Sequence, residues 1–156
     1  MDWSSVLSTA VGAAIGITAT VIADRNRWHR ERSSRALEVR RETYTSFMTA
    51  MNEAGEAIRS VSLGDQPSSA ARDSVTREAF RSSGVHAALE RLRLEAPPNV
   101  ETAAAEAFRS MRRLRDHYAA GKEPTDAEAH AVRMKLEEDF KVLRGLMRTN
   151  LAAEND

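Results

Sequence analysis

The chain has no cysteine among its 156 residues, which excludes disulfides, thiolate nucleophiles and cysteine-based metal sites. Aromatic residues make up only 5%, so a core must be built from Ala, Leu, Val and Met. No proline precedes Pro67, so no pyrrolidine ring interrupts a helix before that point. Net charge is absent as well. The 23 basic and 23 acidic residues balance, and no global field favours nucleic acid or acidic ligands. The four histidines, His29, His86, His117 and His130, neither follow a glutamate by three residues nor pair at i, i+4. The Glu-x-x-His pairs of di-iron bundles and the helical zinc motif are therefore missing. There is no phosphate-binding Gly loop, Gly-x-Ser-x-Gly elbow or Ser-x-x-Lys motif. Nothing in the residues argues for an enzyme, and no catalytic residue, cofactor or metal ligand is expected.

What is present begins with Val6–Ala23, eighteen residues without a charge. As a helix they span about 27 Å, close to the lower limit for a hydrocarbon core of roughly 30 Å. Val6, Leu7, Val11, Ile15, Ile17, Val21 and Ile22 favour insertion by roughly 2–4 kcal/mol together, while Ser8, Thr9, Gly12, Gly16, Thr18 and Thr20 oppose it. The flanks decide for a span. Trp3 precedes the run and Trp28 follows it, where interfacial aromatics belong, and Arg25, Arg27, Arg30 and Arg32 stand beyond it against Asp2 alone on the N-terminal side. The positive-inside rule then places the N-terminus outside and the rest of the chain in the cytoplasm, as a single-pass protein of the cell membrane. A cleaved signal peptide would carry its charge ahead of the apolar run. The alternative is an N-terminal helix of a soluble protein that docks on a partner or on itself.

Within the span, Ser8, Gly12, Gly16 and Thr20 recur every four residues. They form a stripe of small side chains on which two helices can approach closely in lipid, so this face is the expected site of homo-association. From Asp24 to Arg41 the chain carries seven Arg against three acids, a net of +4. Trp3, Arg25, Arg27, Trp28, Arg30 and Arg32 are the expected membrane-interface residues. The collar could also hold anionic headgroups, at about 1 kcal/mol per basic residue near the surface. No nucleic-acid partner is expected.

Downstream, Leu37, Tyr44, Met51 and Ile58 repeat every seven residues with Phe47, Ala54 and Val61 interleaved, which predicts a core-facing helical seam. The seam is short and Arg40 takes one of its positions, which favours packing in a bundle over a coiled coil. Gly64 and Pro67 end that helix. Val75, Ala79 and Phe80, then Val85, Leu89 and Leu92, mark the next segment, broken at Ser83-Gly84 and closed by Pro97-Pro98. Asn99 is the expected cap of a following helix whose apolar positions are Val100, Ala104, Ala107, Phe108, Met111, Leu114 and Tyr118. Gly121 stops it. Thr125 to Glu128, "TDAE", reads as a capping box for the last helix, with Val132, Leu136, Phe140, Leu143, Met147 and Leu151 inward. No stretch alternates with period two.

The fold class expected is all-α: an N-terminal transmembrane helix continuing into a long helix, packed with two or three further helices as an antiparallel bundle. The divisions are an anchor at 1–24, a basic juxtamembrane helix at 25–41 and a bundle at 42–156. His117 and His130 read as surface histidines beside a turn, and Glu137-Glu138-Asp139 as a solvated acidic face. Arg109, Arg112, Arg113 and Arg115 read as salt-bridged surface, because Asn99 to Gly121 nets only +1.

The order of these features, an apolar N-terminus, the collar "RNRWHRERSSRALEVRRETYTSFMTA", then "LERLRLEAPPNVETAAAEAF" and a closing amphipathic helix, resembles a group of uncharacterised actinobacterial small membrane-anchored helical proteins. The similarity is one of composition and position over nearly the whole chain. The Arg-x-x-Leu-Gly-like ending of the group has its Arg and Leu in "LMRTNLAAEND" but not its Gly. The resemblance implies membrane anchoring and a cytoplasmic helical domain, and it transfers no catalytic residue. The function expected is that of a non-enzymatic tether or protein-interaction module at the inner membrane face, with an unidentified protein partner.

Overall fold

In the computed structural model, residues 3–64, 68–122 and 125–153 are described, although within them the side chains of 3–27, 29–31, 33, 62 and 69 are not. The described backbone is helical: α1 (Trp3–Leu63), α2 (Ser69–Ser82), α3 (Val85–Glu95), α4 (Pro98–Ala119) and α5 (Ala127–Ala153). It contains no strand. The chain divides into two units, 1–38 and 39–156.

The helix boundaries follow local chemistry. Ser68 caps α2, its hydroxyl accepting from the Ala71 amide at 3.1 Å. Gly84, at φ +70°, makes the left-handed step that separates α2 from α3, a conformation that costs residues with a Cβ. Ala96 is driven to extended backbone by the proline after it, and Pro98 opens α4 in the position where a missing N–H costs nothing. The cap position is therefore Pro97 and not Asn99. The Asn99 carboxamide oxygen instead accepts from the Val100 amide at 3.0 Å. Helix α4 ends as expected at Gly121, φ +79°, whose amide donates to the Tyr118 carbonyl at 2.9 Å. Helix α5 opens at Ala127, which places Asp126 rather than Thr125 at its cap position.

The core of unit 39–156 is the one the hydrophobic periodicity describes. Phe47, Met51, Ala54 and Ile58 of α1 are fully buried with Val85 and Leu92 of α3, Val100, Ala104 and Ala107 of α4, and Leu143 of α5. Helix α4 is central. It packs against α2, α3 and α5, and its Met111 Cε lies 3.5 Å from where a Cβ on Gly55 of α1 would stand. All seven apolar positions expected on α4 are buried.

On α2 the buried face is shifted by one residue. Val75 is exposed, whereas Thr76 and Phe80 are buried. Thr76 avoids an unsatisfied hydroxyl by donating to the Arg72 carbonyl at 2.7 Å. Phe80, His86 and Phe108 form an aromatic cluster with centroids 4.9–5.8 Å apart, His86 edge-on to both phenylalanines. Arg115 is not surface. It is buried, its guanidinium 4.9 Å above the Phe80 ring, with Nε and Nη2 donating to Asp116 at 2.9 and 2.5 Å.

Gly145 lies inside α5 with open space where a Cβ would stand. Gly145→Ala should raise stability by about 1 kcal/mol through helix propensity alone, read as a higher urea midpoint at unchanged slope.

Candidate binding groove

The sequence-derived anchor and association residues fall mostly outside the described side chains. For Ser8, Gly12, Gly16 and Thr20, and for Trp3, Arg25, Arg27 and Arg30, only the helical backbone of α1 is described. Trp28 and Arg32 are described. The indole is 58% exposed, and the Arg32 guanidinium lies 5.1 Å from its centroid one helical turn away. That pairing keeps an amphipathic ring and a cation together on the helix surface. Among the described residues no helix is long and apolar enough to cross a membrane. Val6–Ala23 lies outside the side chains so described.

Two polar clusters in the bundle contradict their expected exposure. Asp139 is buried, while its neighbours Glu137 and Glu138 face solvent. Ser110 of α4 donates to it at 2.6 Å, and Lys135, one turn earlier on α5, forms an ion pair with it. Burial pushes the Asp139 carboxyl up, but hydrogen bonds from Lys135 and Ser110, with the charges of Lys135 and Arg113, hold it below the ordinary aspartate range. Through the Ser110 hydrogen bond this carboxylate clamps α5 to α4. His117 is likewise buried, its Nε2 without a hydrogen-bond partner among the described residues and its ring 5.8 Å from that of Tyr118. His130 is exposed, as expected. Among the described residues no three His, Asp or Glu side chains gather as a metal site.

The bundle does carry a concave surface with a distinct chemistry. A groove of about 320 Å³ lies between α1 and α5, lined by Arg41, Tyr44, Thr45, Met48, Thr49 and Asn52 from α1 and by Arg144, Met147, Arg148 and Leu151 from α5. Periodicity builds both walls. On α1 the lining recurs at 41, 44/45, 48/49 and 52, and on α5 at 144, 147/148 and 151, the i, i+3, i+4 spacing of a single helix face. Tyr44 ties the walls together by donating to Asn150 Oδ1 at 2.8 Å across 106 residues. Burial raises the Tyr44 hydroxyl above its ordinary value, with the Arg40 charge acting the other way, so it stays a donor. Met147 is buried, and Met48 and Leu151 are half-buried; with Tyr44 they make an apolar floor.

The rim is basic. Three of the ten lining residues are arginine and none is Asp or Glu. Arg41, Arg144 and Arg148 form no ion pair among the described residues, unlike Arg77, Arg81, Arg93 and Arg109, which are matched on their own or adjacent helices. Arg144 lies 5.9 Å from the Phe140 ring. Arg41 belongs to the expected collar and Arg148 is the Arg of the ending shared with the resembled group, while no expectation attaches to Arg144. One signal was available: no carboxylate stands three or four residues from Arg144 or Arg148 on α5. No protein-family model matches the chain, and comparisons with curated proteins and with solved structures return no match.

Proposed function

We propose that the chain is a non-enzymatic, single-pass membrane-anchored protein whose helical bundle is a tether or protein-interaction module at the cytoplasmic membrane face. The observation that carries the interaction role is the α1–α5 groove, where three arginines without a carboxylate surround an apolar floor. A concave, mostly apolar surface with a few oriented charges is the ordinary chemistry of a binding site. The anchor rests on the sequence: the uncharged run Val6–Ala23, Trp3 and Trp28 at its ends, and the collar of Arg25, Arg27, Arg30 and Arg32. The likeness in composition to actinobacterial membrane-anchored helical proteins supports the same reading. In the membrane, Ser8, Gly12, Gly16 and Thr20 supply the face for self-association, and the collar meets anionic headgroups.

A C-terminal green fluorescent protein fusion, imaged in a bacterial host, tests the anchor. A bright peripheral ring that resists alkaline extraction is the expected result. Diffuse fluorescence would overturn the anchor in favour of a soluble helical regulator. A dark but expressed fusion would place the bundle on the outer side and reverse the orientation.

A further inference from the structure

The groove has a definite charge and a definite shape, and both constrain what it can hold. Along α1 its lining runs from Arg41 to Asn52, about 16 Å of helix or three turns. The two methionines supply an adaptable apolar surface, since a thioether chain fills irregular gaps and accepts varied side chains. Arg144 and Arg148 stand one turn apart on one wall and Arg41 on the other, so a ligand seated on the floor meets guanidinium groups on both flanks. Each can take a carboxylate through parallel N–H donors. No carboxylate of the lining competes for them. A cationic or neutral ligand would leave three like charges unmatched beside it.

We propose that this groove receives an acidic amphipathic helix of a partner protein, its apolar stripe on Met48, Met147 and Leu151 and its carboxylates on Arg41, Arg144 and Arg148. Such a helix offers apolar anchors at i, i+3/i+4 and i+7 over three turns with carboxylates flanking them, the helix-in-groove mode of recognition. The length of the groove matches three turns. The proposal rests on the groove being a binding site, as argued under Proposed function.

The test uses the full chain in nanodiscs of neutral phosphatidylcholine and a fluorescein-labelled helical peptide of about 16 residues, with Leu on one stripe and Glu on both flanks. Fluorescence anisotropy reports affinity, and ¹³C-methyl resonances of Met48 and Met147 report location. The expected result is saturable binding that shifts both methionines and weakens with added salt. Arg144→Gln with Arg148→Gln should weaken it roughly tenfold or more. Arg59→Gln, an exposed arginine outside the groove, should leave affinity unchanged. A peptide with Gln in place of Glu that binds equally well, or binding indifferent to the groove arginines, would overturn the proposal. Failure of the acidic peptide, with arginine-dependent methionine shifts on adding dodecyl phosphate, would overturn the helix occupant while leaving the groove a binding site. If neither probe moves the two methionines, both the proposal and the site fall.

Discussion

Phe47→Ala should destabilise the bundle by about 3–5 kcal/mol, among the largest losses expected from any single truncation in this chain. Phe47 is fully buried, and it belongs to the short stretch of α1 that reaches the core. Three other fully buried residues on that stretch, Met51, Ala54 and Ile58, are smaller and cannot close the void from the same helix. The aromatic fraction of the chain is low, so few other rings are available to collapse into it. Domains of this size have total stabilities of roughly 5–15 kcal/mol, and the variant should lose a large share of that. Urea unfolding followed by far-ultraviolet circular dichroism gives the value. Leu37→Ala, at a half-exposed position on the same seam, should cost much less. Equal and small losses in both would mean that α1 does not contribute to the core, and the groove it walls would lose its basis.

Asp139→Ala is the second large effect. The substitution leaves the buried Ser110 hydroxyl and the Lys135 ammonium without their acceptor, at a cost of about 2–3 kcal/mol. The melting temperature should fall by roughly 8–12 °C. Glu137→Ala and Glu138→Ala, on the exposed part of the same run, should stay within about 0.5 kcal/mol of the parent. The pH dependence has a fixed sign. Because the folded Asp139 carboxyl titrates below its unfolded value, its contribution is complete above the unfolded pKa of about 3.9 and disappears as pH falls through the folded pKa. Asp139→Asn removes this titration. The stabilities of the parent and of Asp139→Asn should therefore diverge near neutrality and converge on acidification. A difference that stays constant across that range would show that the carboxylate's charge plays no part.

Much of the architecture was legible from spacing. Helix α4 is the plainest case, because its apolar residues recur at 100, 104, 107/108, 111, 114 and 118 without interruption, and a helix surrounded by others buries that whole stripe. The misreadings share a cause. Arg115 and Asp139, expected at the surface, are buried against partners that the fold brings to them, whereas His117 is buried with its Nε2 unpartnered among the described residues. Ser110 finds Asp139 twenty-nine positions away, and Arg115 finds Phe80 across two helices. A polarity pattern along one helix contains no record of such partners. Val75 differs for the complementary reason: its apolar character points inward, while helix α2 turns its neighbour Thr76 to the core. The groove was invisible in the same way. Its two walls are helices that are far apart in sequence, and its charge emerges only when Arg41 is brought opposite Arg144 and Arg148.

The hydrogen bond from Tyr44 to Asn150 joins the first and last helices of unit 39–156. Helices α2, α3 and α4 can begin to gather while α5 is still being synthesised, since their contacts are local. The groove cannot, because one wall does not exist until α5 has emerged and folded back onto α1. The recognition proposed above therefore requires α5 to have folded back onto α1, and a chain halted or clipped before Arg144 would lack the groove.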